Sequence, residues 1–105
     1  METQNTGAEL NPGVVLLEQP ISRGEQVIGM LALRKPKAGE LRGLSLSDLL
    51  NCDVSAIIKV LPRVSSPPIT EAEADDMDPA DLTACGSEIV GFLLPKGVRA
   101  AFQPT

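Results

Sequence analysis

The chain has 105 residues and a formal net charge of −5, with no His, Tyr or Trp and only two Phe. A domain of this length buries roughly 60–65% of the surface its unfolded chain exposes, and Leu, Ile, Val and Ala must supply nearly all of it. The lack of His removes the commonest general base, and the acidic balance argues against phosphate-rich partners, whose binding needs a basic stripe.

Residues 1–13 hold Asn, Gln, Thr, Gly and Pro without periodicity and read as a flexible arm. They offer neither a basic start nor an apolar signal core. No stretch of the chain nears the roughly 18–20 apolar residues that span a bilayer, so residence in the cytoplasm is the expectation. Val14-Val15-Leu16-Leu17 opens a strand, Ser22-Arg23-Gly24-Glu25 makes a turn, and Gln26–Leu33 returns as the second strand of a hairpin. Gly29 predicts a bulge or a close approach by another backbone. Both faces of the hairpin are apolar. A two-stranded hairpin is marginal alone, so one face must pack on helices and the other is left for a second chain.

Pro36 ends the second strand, and Lys37–Leu44 reads as a short helix. Ser45 and Asp48 have capping-box spacing ahead of the next helical turn. Asp53 is suited to cap a helix over Val54–Leu61, in which Val54, Ile57, Ile58 and Leu61 form one apolar stripe. Pro62 is expected to stop that helix. Ser65-Ser66-Pro67-Pro68 reads as a stiff connector. Thr70 and Glu73 again have capping-box spacing, at the start of a short acidic helix. Asp78-Pro79 opens the final helix, with Asp81 in its first turn where the helix dipole favours negative charge. Leu82, Cys85, Ile89, Phe92 and Leu93 fall within an arc of about 100°, and Thr83, Ser87 and Gly91 lie opposite. Pro95 and Gly97 end the helix, and residues 95–105 read as a loose tail. The predicted fold is α+β, an N-terminal β-hairpin followed by a small bundle of three to five helices, forming a single domain over residues 14–94.

Little in the chain points to catalysis. No Gly-rich loop has phosphate-binding spacing, and no Ser sits in a nucleophile elbow. Asp75, Asp76 and Asp78 carry hard-cation ligands, but their order does not match a calcium loop and suits a solvated helix end. Cys52 and Cys85 lack metal-ligand spacing and read as small core side chains. The basic cluster Arg34, Lys35, Lys37 and Arg42 has no interleaved aromatics, so nucleic acid is not an expected partner. Half of the fourteen acidic residues lie between Glu71 and Glu88, as a solvated face. The expectation is a protein without enzyme activity, cofactor or metal, acting by interaction. Its amphipathic helices suit helix-in-groove binding, and its hairpin edge suits β-addition or self-association.

The run Leu33-Arg34-Lys35-Pro36-Lys37-Ala38-Gly39-Glu40-Leu41-Arg42-Gly43-Leu44 is the most distinctive in the chain. It is followed in order by Ser47-Asp48-Leu49-Leu50-Asn51, Leu61-Pro62-Arg63-Val64-Ser65, Pro67-Pro68-Ile69-Thr70-Glu71-Ala72-Glu73 and Asp78-Pro79-Ala80-Asp81-Leu82. Over Val14 to Leu94 this wording resembles the small tail assembly chaperones of Mu-like and P2-like contractile-tailed phages. The resemblance implies a protein of the infected bacterial cytoplasm that binds the long, helical tape measure protein and keeps it soluble. It further implies recruitment of tail tube subunits, displacement as the tube polymerises, absence from the virion, and a longer frameshifted form. The C-terminal residues Gly97 to Thr105 match no shared motif. Partner contact is expected from Ile57, Ile58, Leu61, Ile89, Phe92 and Leu93, and from Arg34, Lys35 and Arg42, which match the family's basic run. Two other readings are a structural tail component retained in the virion and a small regulator such as an antitoxin or anti-repressor.

Overall fold

The structure, a computed structural model, describes residues 13–95. The arm expected over 1–13 and the tail expected over 95–105 lie outside the described residues, apart from Gly13 and Pro95. Two antiparallel strands, β1 (Val14–Arg23) and β2 (Gln26–Leu33), form the hairpin. Four helices follow: α1 (Leu46–Leu50), α2 (Val54–Val64), α3 (Glu71–Asp75) and α4 (Pro79–Leu93). The architecture is α+β, as predicted.

The hairpin is not regular. Val14, Val15 and Leu16 face Ala32, Leu31 and Met30, while Ile21, Ser22 and Arg23 face Ile28, Val27 and Gln26. Between these runs four β1 residues, 17–20, oppose the single residue Gly29, so the bulge expected at Gly29 is carried on the strand opposite it. Among the described residues nothing lies within 4 Å of where a Cβ on Gly29 would sit, so the close approach is not seen on that side. The bulge frees the N–H groups of Glu18 and Gln19, which donate to Oδ1 and Oδ2 of Asp81 at 2.8 and 3.0 Å. Asp81 is only 2% exposed and sits in the first turn of α4. One carboxylate therefore completes two orphaned strand donors while lying at the positive end of a helix.

A second tie holds the far end of the same helix. Glu88 Oε1 accepts the Gly13 N–H at 3.0 Å, and the Leu33 N–H donates to the Gly13 carbonyl at 2.7 Å. With Asp81 at the bulge and Glu88 at the strand start, α4 must run antiparallel to β1 across the inner sheet face. That face presents Val15, Leu17, Ile21, Ile28, Leu31 and Leu33, all buried. Ile57, Val60, Leu61 and Val64 of α2 and Cys85 and Ile89 of α4 complete the aliphatic core.

Three local expectations are corrected. Pro62 does not stop α2, which continues to Val64 with Pro62 inside it. The ring costs the bond that would have reached the Ile58 carbonyl, but Val64 is buried and the Ser65 N–H bonds the Leu61 carbonyl, so the last turn is retained. The segment Lys37–Leu44 forms only a 3-10 turn over Ala38–Leu41, and Gly43 at φ +82° turns the chain away. Ser65–Ser66 is more than a connector: it is a third strand, β3, pairing Ser66 with Ala32 and Ser65 with Leu33.

The predicted caps are present. Asp53 accepts the Ala56 N–H, Thr70 and Glu73 exchange both capping-box bonds, and Asp78 accepts the Ala80 N–H ahead of Pro79. Ser45 accepts the Asp48 N–H. Between α1 and α2 the chain turns at Cys52, whose φ of +59° is rare for a residue with a side chain. Its sulfur occupies the space beside Gly86 of α4, 2.3 Å from where a Cβ on that glycine would lie.

Candidate interaction surface

The residues expected to meet a partner fall into three groups. Ile57, Leu61 and Ile89 are fully buried, so they serve the core and present nothing to a second molecule in this conformation. Ile58, Phe92 and Leu93 are half-buried and packed against that core. Arg34, Lys35 and Arg42 are exposed, but Arg34 is already engaged. Its guanidinium forms a bidentate pair with Glu40 (Nη1 to Oε1, 2.8 Å, with Nη2 to Oε2) and also reaches the Arg63 carbonyl at 2.9 Å. Arg63 returns the contact, donating to the carbonyls of Glu40 and Arg42 at 2.7 and 3.0 Å. The basic run thus clamps the 3-10 turn to the end of α2.

A matching clamp holds α3. Arg23 donates from Nε and Nη2 to the two Glu73 oxygens at 2.9 and 2.7 Å, and to the Pro68 carbonyl at 2.9 Å. The Arg23 guanidinium and then the Thr70 backbone N–H hold Glu73 down at about 2. Arg34 and the Lys37 N–H likewise hold Glu40 at about 2. Both carboxyls titrate below their unfolded range, so their stabilisation is complete above an unfolded carboxyl pKa of about 4.3 and is lost as pH falls towards 2. The unfolding midpoint in urea, followed by far-UV circular dichroism, should therefore drop between pH 5 and pH 2. Glu73→Gln should reduce that drop; an identical pH profile in the variant would show that the pair contributes nothing to acid sensitivity.

Other chemistry is sparse. Burial, then the charges of Asp81 and Glu88, push the Cys85 thiol up to about 12, which removes it as a nucleophile at neutral pH. Among the described residues no group of three His, Cys, Asp or Glu side chains is placed to hold a metal ion. A shallow cleft of about 560 Å³ lies between the β1 bulge and the α3–α4 junction, lined by Gln19, Pro20, Ile21, Ser22, Glu73, Asp76, Met77, Asp78 and Pro79. Glu73 in its wall is already taken by Arg23. No described helix is long and apolar enough to cross a membrane.

What the molecule does present is exposed apolar surface, on residues outside the predicted set. Leu16, Val27 and Met30 on the hairpin are 51, 64 and 46% exposed, and Leu46, Leu50 and Val54 on α1 and α2 are 55, 42 and 58% exposed. Leu16 and Met30 are directly paired across the strands, and Val14 with Ala32 extends the same face. The signal for the hairpin patch was the apolar character of both its faces. The signal for the helical patch was Leu46 and Leu50 at i, i+4 on a helix too short to bury both.

The family described as "Phage tail assembly chaperone proteins, E, or 41 or 14" matches residues 14–94. Tail assembly protein E of Escherichia phage P2 is 48% identical over 86 residues, covering 82% of this chain and 94% of that protein. Tail assembly protein E' of the same phage is 48% identical over 81 residues, 77% of this chain but 57% of the longer E'. No solved structure matches the chain. A match that runs from the first residue of β1 to the residue after α4, with nearly half the positions identical to a P2 protein, places this chain in the phage tail assembly chaperone family.

Proposed function

We propose that this protein binds the tape measure protein of a contractile phage tail, keeps its apolar helical segments soluble during assembly, and is displaced when tail tube subunits polymerise around it. The observation that carries this reading is the pairing of a filled aliphatic core with six large apolar side chains left between 42 and 64% exposed. Single exposed apolar side chains are ordinary, but Leu16 paired with Met30 on the hairpin and Leu46 with Leu50 on one side of α1 are grouped, and grouped apolar surface marks binding sites. Surplus apolar surface on a small acidic domain suits reversible covering of another chain's apolar faces, with the net charge of −5 keeping the complex dispersed. Each contact is small, so binding strength would come from many copies along one long partner. The existence of E and the longer E' in phage P2 supports a longer form that shares this domain.

Co-expression with the tape measure protein of the same phage genome tests the reading. The soluble fraction of the tape measure should rise severalfold, and it should co-purify with several copies of this chain. Refractive-index detection is needed, because the chain has no Trp or Tyr. A tape measure that stays insoluble, with no complex, would overturn the proposal. Recovery of the chain in purified virions would point instead to a structural tail component.

A further inference from the structure

The two arginine clamps stand at opposite ends of the hairpin. Arg23, paired with Gln26 beside the turn, holds Glu73 of α3, whereas Arg34 follows the last residue of β2 and holds the 3-10 turn. Arg34 is eight residues beyond Gln26, roughly 25 Å along an extended strand. Charge is divided between the same two ends. At the open end Lys35, Lys37 and Arg42 are all exposed, and the run 34–42 contains one acid, Glu40, which Arg34 neutralises. At the turn end α3 and its cap carry Glu71, Asp75 and Asp76. On a helix these three share one side with Ala72, all four exposed, while Ala74 on the other side is buried. The ion pairs among the described residues are Arg23–Glu73 and Arg34–Glu40, which leaves three cations at one end and three acids at the other outside any such pair.

We propose that the basic run of one copy, Lys35, Lys37 and Arg42, docks on the acidic side of α3 in a second copy of this chain. Charge decides the occupant. The chain carries both halves of the contact, and they lie too far apart to meet within one molecule. With an overall charge of −5, two copies repel when like ends approach, and only basic end against acidic end brings opposite signs together. The acidic side also borders the cleft of about 560 Å³, to which Asp76 and Met77 contribute beside Pro20 and Pro79. A carboxylate among apolar walls suits a Lys or Arg side chain, whose aliphatic stem lies on Met and Pro while its charge meets the acid. Because unlike patches meet, the contact can repeat from copy to copy. This contact goes beyond the tape measure reading and does not depend on it, although copies already held side by side on a long partner would make it more readily.

Sedimentation velocity on the full chain reads the contact without any partner, with interference optics because the chain lacks Trp and Tyr. At ~0.01 M salt, where charges act over about 30 Å, the weight-average sedimentation coefficient should rise with protein concentration, and at ~1 M salt it should fall to the monomer value. Lys35→Glu with Lys37→Glu, and separately Asp75→Lys with Asp76→Lys, should each stay monomeric at low salt. An equimolar mixture of these two variants should associate again, because the new acids of one meet the remaining acids' partners, the new lysines, on the other. Misfolded variants would not give that rescue. A wild type that stays monomeric at low salt, or a mixture that fails to associate, overturns the assignment. So does association that survives ~1 M salt and is lost in Leu16→Ser with Met30→Ser, since the apolar hairpin face is then the contact. The tape measure reading is decided separately by co-expression: a tape measure solubilised by both charge variants leaves that reading in place even where the contact between copies has failed.

Discussion

Asp81→Ala should lower the unfolding free energy by about 2–4 kcal/mol, among the largest losses any single substitution at a polar residue of this protein can cause. The Glu18 and Gln19 N–H groups would lose the carboxylate that accepts both, at 2.8 and 3.0 Å, in a position only 2% exposed. Unsatisfied buried donors cost about 1–3 kcal/mol each, reduced by whatever water reaches the bulge. Against the 5–15 kcal/mol typical of a whole domain, that is a large fraction. Asp81→Asn should be only slightly milder. Its amide oxygen can accept one N–H, but its NH2 group then faces the other donor. Urea denaturation followed by far-UV circular dichroism gives the measurement. As a control, Thr83→Ala removes the bond to the Pro79 carbonyl on the exposed side of the same helix and should change stability by about 0.5 kcal/mol or less. If Asp81→Ala unfolds no earlier than Thr83→Ala, the bulge is not held by this carboxylate.

Gly86→Val should cost about 2–3 kcal/mol, and the reason lies two elements away. A Cβ at this position would sit 2.3 Å from the Cys52 sulfur, with Ile57 carbons at 3.7 Å behind it. The glycine is buried in the middle of α4, where an alanine would otherwise favour the helix by roughly 1 kcal/mol. Gly86→Ala in the wild-type background should therefore be destabilising or neutral instead of stabilising. Combined with Cys52→Ala, which removes the obstructing sulfur, it should recover the helix benefit. Gly86→Val should not recover, because its branched carbons still meet Ile57. Wild type, Gly86→Ala, Cys52→Ala and the double variant form a double-mutant cycle, and a coupling energy near zero between positions 52 and 86 would sink the account.

Both predictions involve residues whose sequence context suggested something local. Asp81 reads as a first-turn acid serving the helix dipole, and it does lie there, but its larger role is to finish a strand 62 residues earlier. Cys52 reads as a small core side chain and nothing in the sequence singles out Gly86; only their contact gives each a reason to be small. Arg34 is similar. Its charge suggested a binding surface, whereas the geometry commits it to Glu40 and to the Arg63 carbonyl at the end of α2, and Arg63 in turn bonds the carbonyls of Glu40 and Arg42. The apolar residues show the same limit. Periodicity places Ile57 and Leu61 on one face of α2 and Ile89 on one face of α4, but it marks only which side chains share a face and is silent on whether that face meets the core or a partner.

Local rules account for what the sequence by itself determined. The hairpin with its turn at Gly24, the caps at Asp53, Thr70 and Asp78, Pro79 at the head of α4, the α+β class and the chaperone family all follow from residues close together in the chain. Each depends on short-range sterics, hydrogen-bond competition or a shared run of residues. Tertiary structure decided the rest. The extension of α2 through Pro62 depends on burying Val64, the third strand at Ser65–Ser66 depends on an open edge of β2, and the exposure of Leu46, Leu50 and Val54 depends on which helix faces α4 leaves uncovered. Burial is a property of the partners that packing brings together, and a side chain's own neighbours in sequence do not specify it.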